Sequence, residues 1–387
     1  MPKPNPRALV GALLIPIVSA CSAAPASDAA DPANHTFAFT DVTVLPMDSE
    51  RVLDGQTVIV RDGVITAVGP ADRTPVPEGA IEIDGRGRYL MPGLAEMHAH
   101  VPPVPAGSDA RPPQDQLDDI LFLYVANGIT TIRGMLGSSY QLALRDELFR
   151  DELLGPAFYV GAPSLNGNTA PTPDDAERMV RAAAEAGYDL QKIHPGVPLD
   201  AWDRMVAVAE EVGLTFGGHV PADVGIEHAL ETGMSTVDHL DGFIEGAASD
   251  ALAARAEAGE SVGLPELMAD LDENKLMALA RRAAEAGTYV VPTAYLWENL
   301  YGSPDVDARL SQPEMSYVSH RQREAWRAQA GRGPTLAPAV REAFFDARRR
   351  MCVSRFAVNH KSDDVDISLE NVRHEAKPSL TRRAKQK

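Results

Sequence analysis

A segment that ends in two histidines, Met91-Pro-Gly-Leu-Ala-Glu-Met-His-Ala-His100, constrains the fold of this chain more than any other part of its sequence. Side chains alternate between the two faces of a β-strand, so His98 and His100 point to the same side. Two imidazoles held in this way can reach one divalent metal ion, and imidazole suits zinc. On its own the pair would be interpreted as two polar residues at a strand end, so the downstream sequence has to decide.

Three later apolar segments also end in candidate metal ligands. The first contains Lys192 and closes at His194, and the others close at His219 and His239. A (β/α)8 barrel repeats about every 30 residues and has its active site at the C-terminal ends of its strands. From His100 to Lys192 the chain runs 92 residues, or about three such units; 27 more residues reach His219, and 20 more reach His239. This spacing places the four segments at the ends of strands 1, 4, 5 and 6.

The remaining strands and helices of a barrel can be found in the intervals. Gly128–Arg133 and Ala157–Gly161 are predicted as strands 2 and 3, and Thr288–Thr293 as strand 7. Helical patterns cover residues 174–186, 199–212, 276–286 and 339–351. The sequence therefore predicts an α/β protein whose main domain, residues 90–351, is a (β/α)8 TIM-type barrel.

Strand 8 is missing or degenerate in this prediction. Where an apolar strand is expected, residues 352–387 form a polar tail. From Arg341 onward basic residues outnumber acidic ones by 12 to 7, whereas before it the counts are 24 and 48. This change indicates a truncated or frameshifted reading frame. The alternative is a divergent strand 8 at Val353–Val358, with Asp363 or Asp364 as the carboxylate that follows it.

The combined motifs resemble the metal-dependent amidohydrolase superfamily, in its imidazolonepropionase-like and prolidase-like branch. The resemblance extends from about residue 38 to about residue 350. Its motifs are Pro92-Gly-Leu-Ala-Glu-Met-His-Ala-His100, Gln191-Lys-Ile-His194, Gly217-Gly-His-Val-Pro221 and Val237-Asp-His-Leu240.

The resemblance implies a site with two divalent metal ions, expected to be zinc. His98 and His100 would hold one ion, His219 and His239 the other, and a carboxylated Lys192 would bridge them. An unmodified lysine ammonium has no lone pair to offer a metal, whereas its carbamate offers two oxygens.

The resemblance also implies the reaction. A water shared by two divalent ions loses its proton near neutral pH, while one metal polarises the scissile carbonyl. A strand-8 aspartate would act as the general base, for which this chain offers only Asp363 and Asp364. The predicted function is hydrolysis of amide bonds in short peptides or cyclic amides. The alternatives are a phosphoester or lactone hydrolase on the same scaffold and an inactive, truncated product.

Substrate contacts are predicted at His194, Arg133 and Tyr295, and for Arg133 and Tyr295 packing is at least as good an explanation. His194 follows Lys192 by two residues and so faces the same side of its strand. The net charge of −19 argues against nucleic acid and anionic membrane surfaces as partners. A small molecule or a short peptide is the expected partner.

The first 35 residues are predicted to direct and tether the enzyme. Residues 1–21 combine a basic start, a short apolar stretch and Val18-Ser-Ala-Cys21, which resembles a bacterial lipoprotein signal. Acylation of Cys21 would anchor the chain, facing the periplasm and in the outer membrane. An ordinary signal peptide cleaved near Ala24 is the alternative. Residues 22–35 are predicted as a flexible tether.

Residues 36–89 are predicted to form a small β-sandwich domain. Short apolar strands cover residues 37–45, 56–61 and 64–69. Asp62-Gly63 between the last two is a sequence typical of a two-residue hairpin turn.

Overall fold

The computed structural model describes residues 36–101, 110–302, 305–330 and 336–359. The predicted signal peptide, tether and lipidation site at Cys21 lie outside the described residues, and so do Asp363 and Asp364. The chain divides into two compact units, one ending at Pro92 and the other beginning at Gly93. This boundary lies three residues beyond the predicted one.

The first unit is a mixed five-stranded sheet. Its strands are β1 (Thr36–Val44), β2 (Leu53–Arg61), β3 (Val64–Pro70), β4 (Ile81–Asp84) and β5 (Tyr89–Leu90). The strand β1 pairs antiparallel with β2 and parallel with β4 and β5, and β2 pairs antiparallel with β3. Asp62 and Gly63 join β2 to β3 with φ of 49° and 77°, which suits a primed hairpin turn.

Val42, Val44 and Val58 form the small core of this sheet. The edge strand β3 leaves Val64 and Ile65 exposed. A second sheet, which a sandwich requires, is not found among the described residues of this unit, so the sandwich stays a prediction.

The second unit is built on parallel strands that follow one another in chain order. They are β6 (Leu94–Ala99), β7 (Ile129–Gly134), β8 (Ala157–Val160), β9 (Leu190–Ile193), β10 (Thr215–Gly218), β11 (Thr236–Asp238) and β12 (Tyr289–Val291). One sheet has the order β6-β7-β8 and the other β9-β10-β11-β12. Parallel bridges from Gly161 to Leu190 and from Leu165 to Ile193 connect them. This is the strand order of a TIM-barrel-like domain.

Helices alternate with these strands. They are α1 (Gln114–Ala126), α2 (Ser139–Phe149), α3 (Pro173–Ala186), α4 (Leu199–Val212), α5 (Gly225–Glu231), α6 (Phe243–Gly246), α7 (Asp250–Glu257), α8 (Leu264–Ala269), α9 (Glu273–Glu285), α10 (Ala294–Trp297), α11 (Val306–Leu310), α12 (His320–Ala330) and α13 (Pro338–Asn359). A π-helical turn covers Glu298–Gly302 and a 3₁₀ turn Pro313–Tyr317. Among the described residues, none of these helices is both long enough and apolar enough to cross a bilayer.

The core of this unit lies between helices and sheet. Trp202 of α4 is fully buried, and its ring meets that of Phe216 on β10 edge-on at a centroid distance of 5.6 Å. Its indole Nε1 donates to Thr232 Oγ1 at 3.2 Å, so the polar atom of this large side chain is satisfied.

The interpretation of Val353–Val358 as a strand is wrong, because these residues belong to α13. Phe344, Ala347 and Met351 recur at helical spacing and are buried in the main core, which stabilises the helix. No glycine or proline follows Pro338 within α13 to end it earlier. An eighth parallel strand is not found in the described part of the chain, so closure into eight strands stays a prediction.

Candidate active site

The predicted metal ligands lie at the C-terminal ends of four parallel strands. His98 is on β6 and Lys192 on β9, while His219 follows β10 and His239 follows β11. The ring of His239 lies 4.5 Å from that of His98 and 4.4 Å from that of His219, measured between centroids. His100 lies 5.3 Å from His98. The structure therefore brings together side chains that are up to 141 positions apart in the sequence.

Two of these histidines are oriented by carboxylates. His98 Nδ1 lies 2.7 Å from Asp238 Oδ2, and His219 Nδ1 lies 2.6 Å from Asp241 Oδ2. A carboxylate accepts hydrogen bonds, so Nδ1 donates and Nε2 of the neutral ring keeps its lone pair. Metal-binding histidines are held in this way by outer-shell carboxylates.

His239 is oriented by a hydroxyl group. Its Nδ1 lies 2.7 Å from Thr293 Oγ1, and that hydroxyl donates to Pro292 O at 2.8 Å. Because the threonine proton is already used, Oγ1 accepts from His239 Nδ1. His239 thus joins the other two rings in presenting an Nε2 with an available lone pair.

Burial keeps the rings of His98 and His239 neutral. It lowers the pKa of His239 to about 2, with a further contribution from the neighbouring His98, His219 and Lys192. Burial also lowers the pKa of His98, against the hydrogen bond to Asp238 that raises it. Neutral imidazole is the form that binds metals, so both rings are in that form at pH 7.

Lys192 is fully buried beneath the histidines. Its Nζ has no hydrogen-bond partner and lies 3.5 Å from Asp238 Oδ2. Burial lowers the pKa of Lys192 to about 8. A Cβ atom at Gly218, whose φ is +130°, would lie 2.9 Å from this Nζ and 2.4 Å from Ile193 O. The glycine therefore allows its backbone to lie close to the tip of the lysine.

Asp238 lies beside His98, Lys192 and Arg133. Burial raises its pKa, but the hydrogen bond from His98 and the charges of Lys192 and Arg133 outweigh that effect, and the net pKa is lowered. Arg133 Nη2 lies 3.6 Å from the second oxygen, Oδ1, and neither atom has a hydrogen bond. Arg133 Nε donates to Met97 O at 3.0 Å. Arg133 is thus buried beside Asp238.

The other predicted substrate residues differ in position. The His194 ring stacks on that of His219 at 5.0 Å, and its Nδ1 lies 2.7 Å from Ser164 Oγ. Tyr295 is 67% exposed on α10, and no contact recorded among the described residues joins it to the histidines. Two residues further on, the Trp297 ring lies 6.4 Å from that of His239.

The orienting residues Asp238, Asp241 and Thr293 were not predicted from the sequence. Asp238 adjoins a predicted ligand, but strand alternation would send its side chain away from that of His239. Alternation fails here because His239 has a φ of +64° and has left the strand. The carboxylate inside the Val237-Asp-His-Leu240 motif was the available signal.

The donor set fits a divalent metal such as zinc. As the side chains stand, no group of three His, Cys, Asp or Glu residues in the described ranges surrounds one point closely enough to hold an ion. The donor chemistry nevertheless matches, because neutral imidazoles present Nε2 lone pairs beside a buried amine without a hydrogen bond.

Comparisons with known proteins show what the chain is similar to. No family model matches it. It is 27% identical to adenine deaminase of Paracoccus denitrificans over 212 residues, which are 49% of this chain and 33% of that protein. It is 26% identical to imidazolonepropionase of Acidiphilium cryptum over 302 residues, covering 62% of this chain and 72% of that one. Its fold matches the solved structure of bottromycin amidohydrolase with a TM-score of 0.58 and 22% identity, over 85% of this chain and 67% of that chain.

These similarities agree with the resemblance to the amidohydrolase superfamily that the motifs of the sequence carry. The relatives are enzymes of that superfamily, and the solved structure shares the α/β fold with parallel strands. The chain spans about a third of the length of the adenine deaminase that it matches.

Proposed function

We propose that this chain is a metal-dependent hydrolase of carbon–nitrogen bonds that acts on amides in short peptides or in cyclic amides. The observation that carries the proposal is the histidine cluster over Lys192. His98, His219 and His239 each engage Nδ1 and leave Nε2 available. The names adenine deaminase and bottromycin amidohydrolase both describe chemistry at a carbon–nitrogen bond, which supports this choice of reaction.

The proposed metal ligands are those implied by the sequence motifs. His98 and His100 would bind one divalent ion, and His219 and His239 a second, with a carboxylated Lys192 between them. When bound, the ions polarise the scissile carbonyl and lower the pKa of water. The protein contributes fixed ring directions and a largely buried setting, in which electrostatic interactions are strong.

Lys192 has the properties that carboxylation needs. With a pKa of about 8, roughly a tenth of the side chains carry an uncharged amine at pH 7, against fewer than about one in 1,000 for an ordinary lysine. The amine lone pair forms a bond to the carbon of CO₂ and the nitrogen releases one proton, which leaves an anionic carbamate. A side chain at Gly218 would place its Cβ 2.9 Å from Nζ, and glycine avoids that clash.

The proposal is tested by metal removal and reloading. The chain is stripped with a chelator, loaded with Zn²⁺, Mn²⁺ or Co²⁺, and assayed with dipeptides, N-acyl amino acids and cyclic amides beside a phosphotriester and a lactone. We expect amide hydrolysis that is lost with the metal and restored with it. His239→Ala should lower the bound metal and the activity. His228→Ala is the matched control, since His228 lies on the surface and bonds to Asp203 at 2.7 Å.

Each failure has its own meaning. A chain that binds no divalent ion under any loading condition refutes the metal site. A metal-loaded chain that cleaves the phosphotriester or the lactone, but none of the amides, would replace the proposed reaction with that alternative.

We also propose that the enzyme is a periplasm-facing lipoprotein anchored through acylated Cys21. The proposal rests on the Val18-Ser-Ala-Cys21 run after a basic, apolar start. Mass spectrometry of the mature N-terminus tests it, and an unmodified start at Ala24 or later would contradict it.

A further inference from the structure

The backbone is strained where β11 and β12 end beside the site. His239, Leu240 and Thr293 have φ of 64°, 65° and 47°, in the left-handed region that residues other than glycine rarely adopt. Such conformations persist where the surrounding structure enforces them. His239 N also donates to Val291 O at 2.8 Å, so the two strand ends are joined. The direction of the His239 ring therefore depends on strained backbone at both ends of its hydrogen bond to Thr293.

Arg348 of α13 holds both strand ends. Its Nη1 donates to His239 O at 3.0 Å and its Nη2 donates to Pro292 O at 2.6 Å. The guanidinium carbon lies 4.6 Å from the centroid of the Trp297 ring, and that ring lies 6.4 Å from the His239 ring. A planar guanidinium can bridge two acceptors at fixed angles, which the single ammonium of lysine cannot do.

Burying the charged side chain of Arg348 costs free energy, so the residue has to contribute something in return. Arg348 is 6% exposed and has no carboxylate within 4 Å among the described residues. Burial lowers its pKa to about 10, and the charges of Cys352 and Asp241 offset this in part. A methionine would fill the space beside Phe344 without the cost of desolvating a charge. What the arginine adds is the pair of hydrogen bonds to the His239 and Pro292 carbonyls, together with the contact of its charge with the Trp297 ring.

We infer that Arg348 is a positioning residue for the candidate active site. By bridging the His239 and Pro292 carbonyls, it holds the His239 ring with Nδ1 on Thr293 Oγ1 and with Nε2 available. The inference rests on the proposed function only for the nature of the ligand, a divalent metal. The ring orientation is a property of the metal-free protein, so it can be tested separately.

The first test uses the metal-free protein. Nitrogen-15 NMR of the histidine rings reports which nitrogen carries the proton. In the wild-type chain we expect His239 to be protonated on Nδ1. Arg348→Met should give a mixture of both tautomers at His239, while His98, held by Asp238, should not change. The control is Arg349→Met, since the Arg349 side chain is 57% exposed on the same helix.

The second test measures Co²⁺ and Zn²⁺ affinity by chelator competition. Arg348→Met should bind about 10- to 100-fold more weakly, the usual effect of losing an outer-shell partner. Arg348→Lys should also bind more weakly, although it keeps the charge. Arg349→Met should bind as the wild type does. Adding methylguanidinium to Arg348→Ala should restore the Nδ1 tautomer of His239 and the metal affinity.

The outcomes separate the two proposals. A folded Arg348→Met chain with unchanged His239 tautomer and unchanged metal affinity would overturn the inference. If that variant does not fold, Arg348→Lys decides by the same two measurements. A tautomer that shifts in a chain without any metal affinity would support the positioning role and refute the metal site.

Discussion

Replacing Lys192 with methionine is expected to stabilise the metal-free protein at pH 7. The lysine is fully buried, its Nζ has no hydrogen bond, and burial lowers its pKa from 10.5 to about 8. Each unit of this pKa shift corresponds to about 1.4 kcal/mol, so keeping the lysine charged lowers the free energy of unfolding by about 3 kcal/mol. Methionine is unbranched and fills a similar volume. The gain should be smaller than the full cost, because Asp238 loses a cationic neighbour.

The same pKa shift predicts how stability depends on pH. Below pH 8 the lysine is charged in both the folded and the unfolded state, and its cost is constant. Between pH 8 and 10.5 the folded protein releases the proton while the unfolded chain keeps it, so stability rises with pH. Over this pH range the free energy of unfolding of the wild-type chain should therefore rise relative to that of Lys192→Met. The stability difference between the two proteins should become smaller.

The assay is urea unfolding of both proteins, monitored by tryptophan fluorescence, in a buffer that contains a chelator and no CO₂. Lys275→Met is the matched control, since Lys275 donates to Ala248 O and to Asp250 Oδ1 and should lose stability or remain unchanged. A Lys192→Met chain that is less stable than the wild type at pH 7 by more than about 1 kcal/mol, a typical cost of a substitution, would refute this expectation. A difference in stability between the two proteins that stays constant from pH 8 to 10.5 would refute it as well.

Three further substitutions test the packing of the site and core. In thermal or urea unfolding, Gly218→Ala should lose about 1–3 kcal/mol more stability than Gly213→Ala. The reason is that a Cβ at Gly218 would lie 2.4 Å from Ile193 O, whereas a Cβ at Gly213 meets nothing within 4 Å. Equal losses of stability would contradict this. Asp238→Asn should weaken Zn²⁺ binding about 10- to 100-fold in chelator competition, and wild-type affinity would show that the carboxylate does not orient a ligand. Trp202→Ala should cost about 3–5 kcal/mol of unfolding free energy, since the side chain is fully buried; a loss below about 1 kcal/mol would mean that the core is packed differently.

Local periodicity in the sequence was enough to predict most of the strands and helices of the barrel-like unit. The helix predicted at residues 199–212 has those bounds in the structure, and the strand predicted at Gly128–Arg133 is shifted by one residue. The proximity of the histidine rings could also be predicted, because parallel strands in chain order end at one edge. The strands and helices depend on residues that are near one another in the sequence, and each strand–helix unit repeats the same hydrophobic pattern.

Tertiary structure alone decided which groups orient the histidines. Asp238 and His98 are 140 residues apart, and Arg348 and His239 are 109 residues apart. Periodicity shows which face of an element is buried, but not which side chain of another element lies opposite that face. It also could not show that residues 353–358 continue α13, because that outcome depends on the burial of Phe344, Ala347 and Met351 in a core assembled from distant strands and helices. The sequence therefore determined the elements and the metal-ligand candidates, whereas the packing between elements determined the direction in which those candidates point.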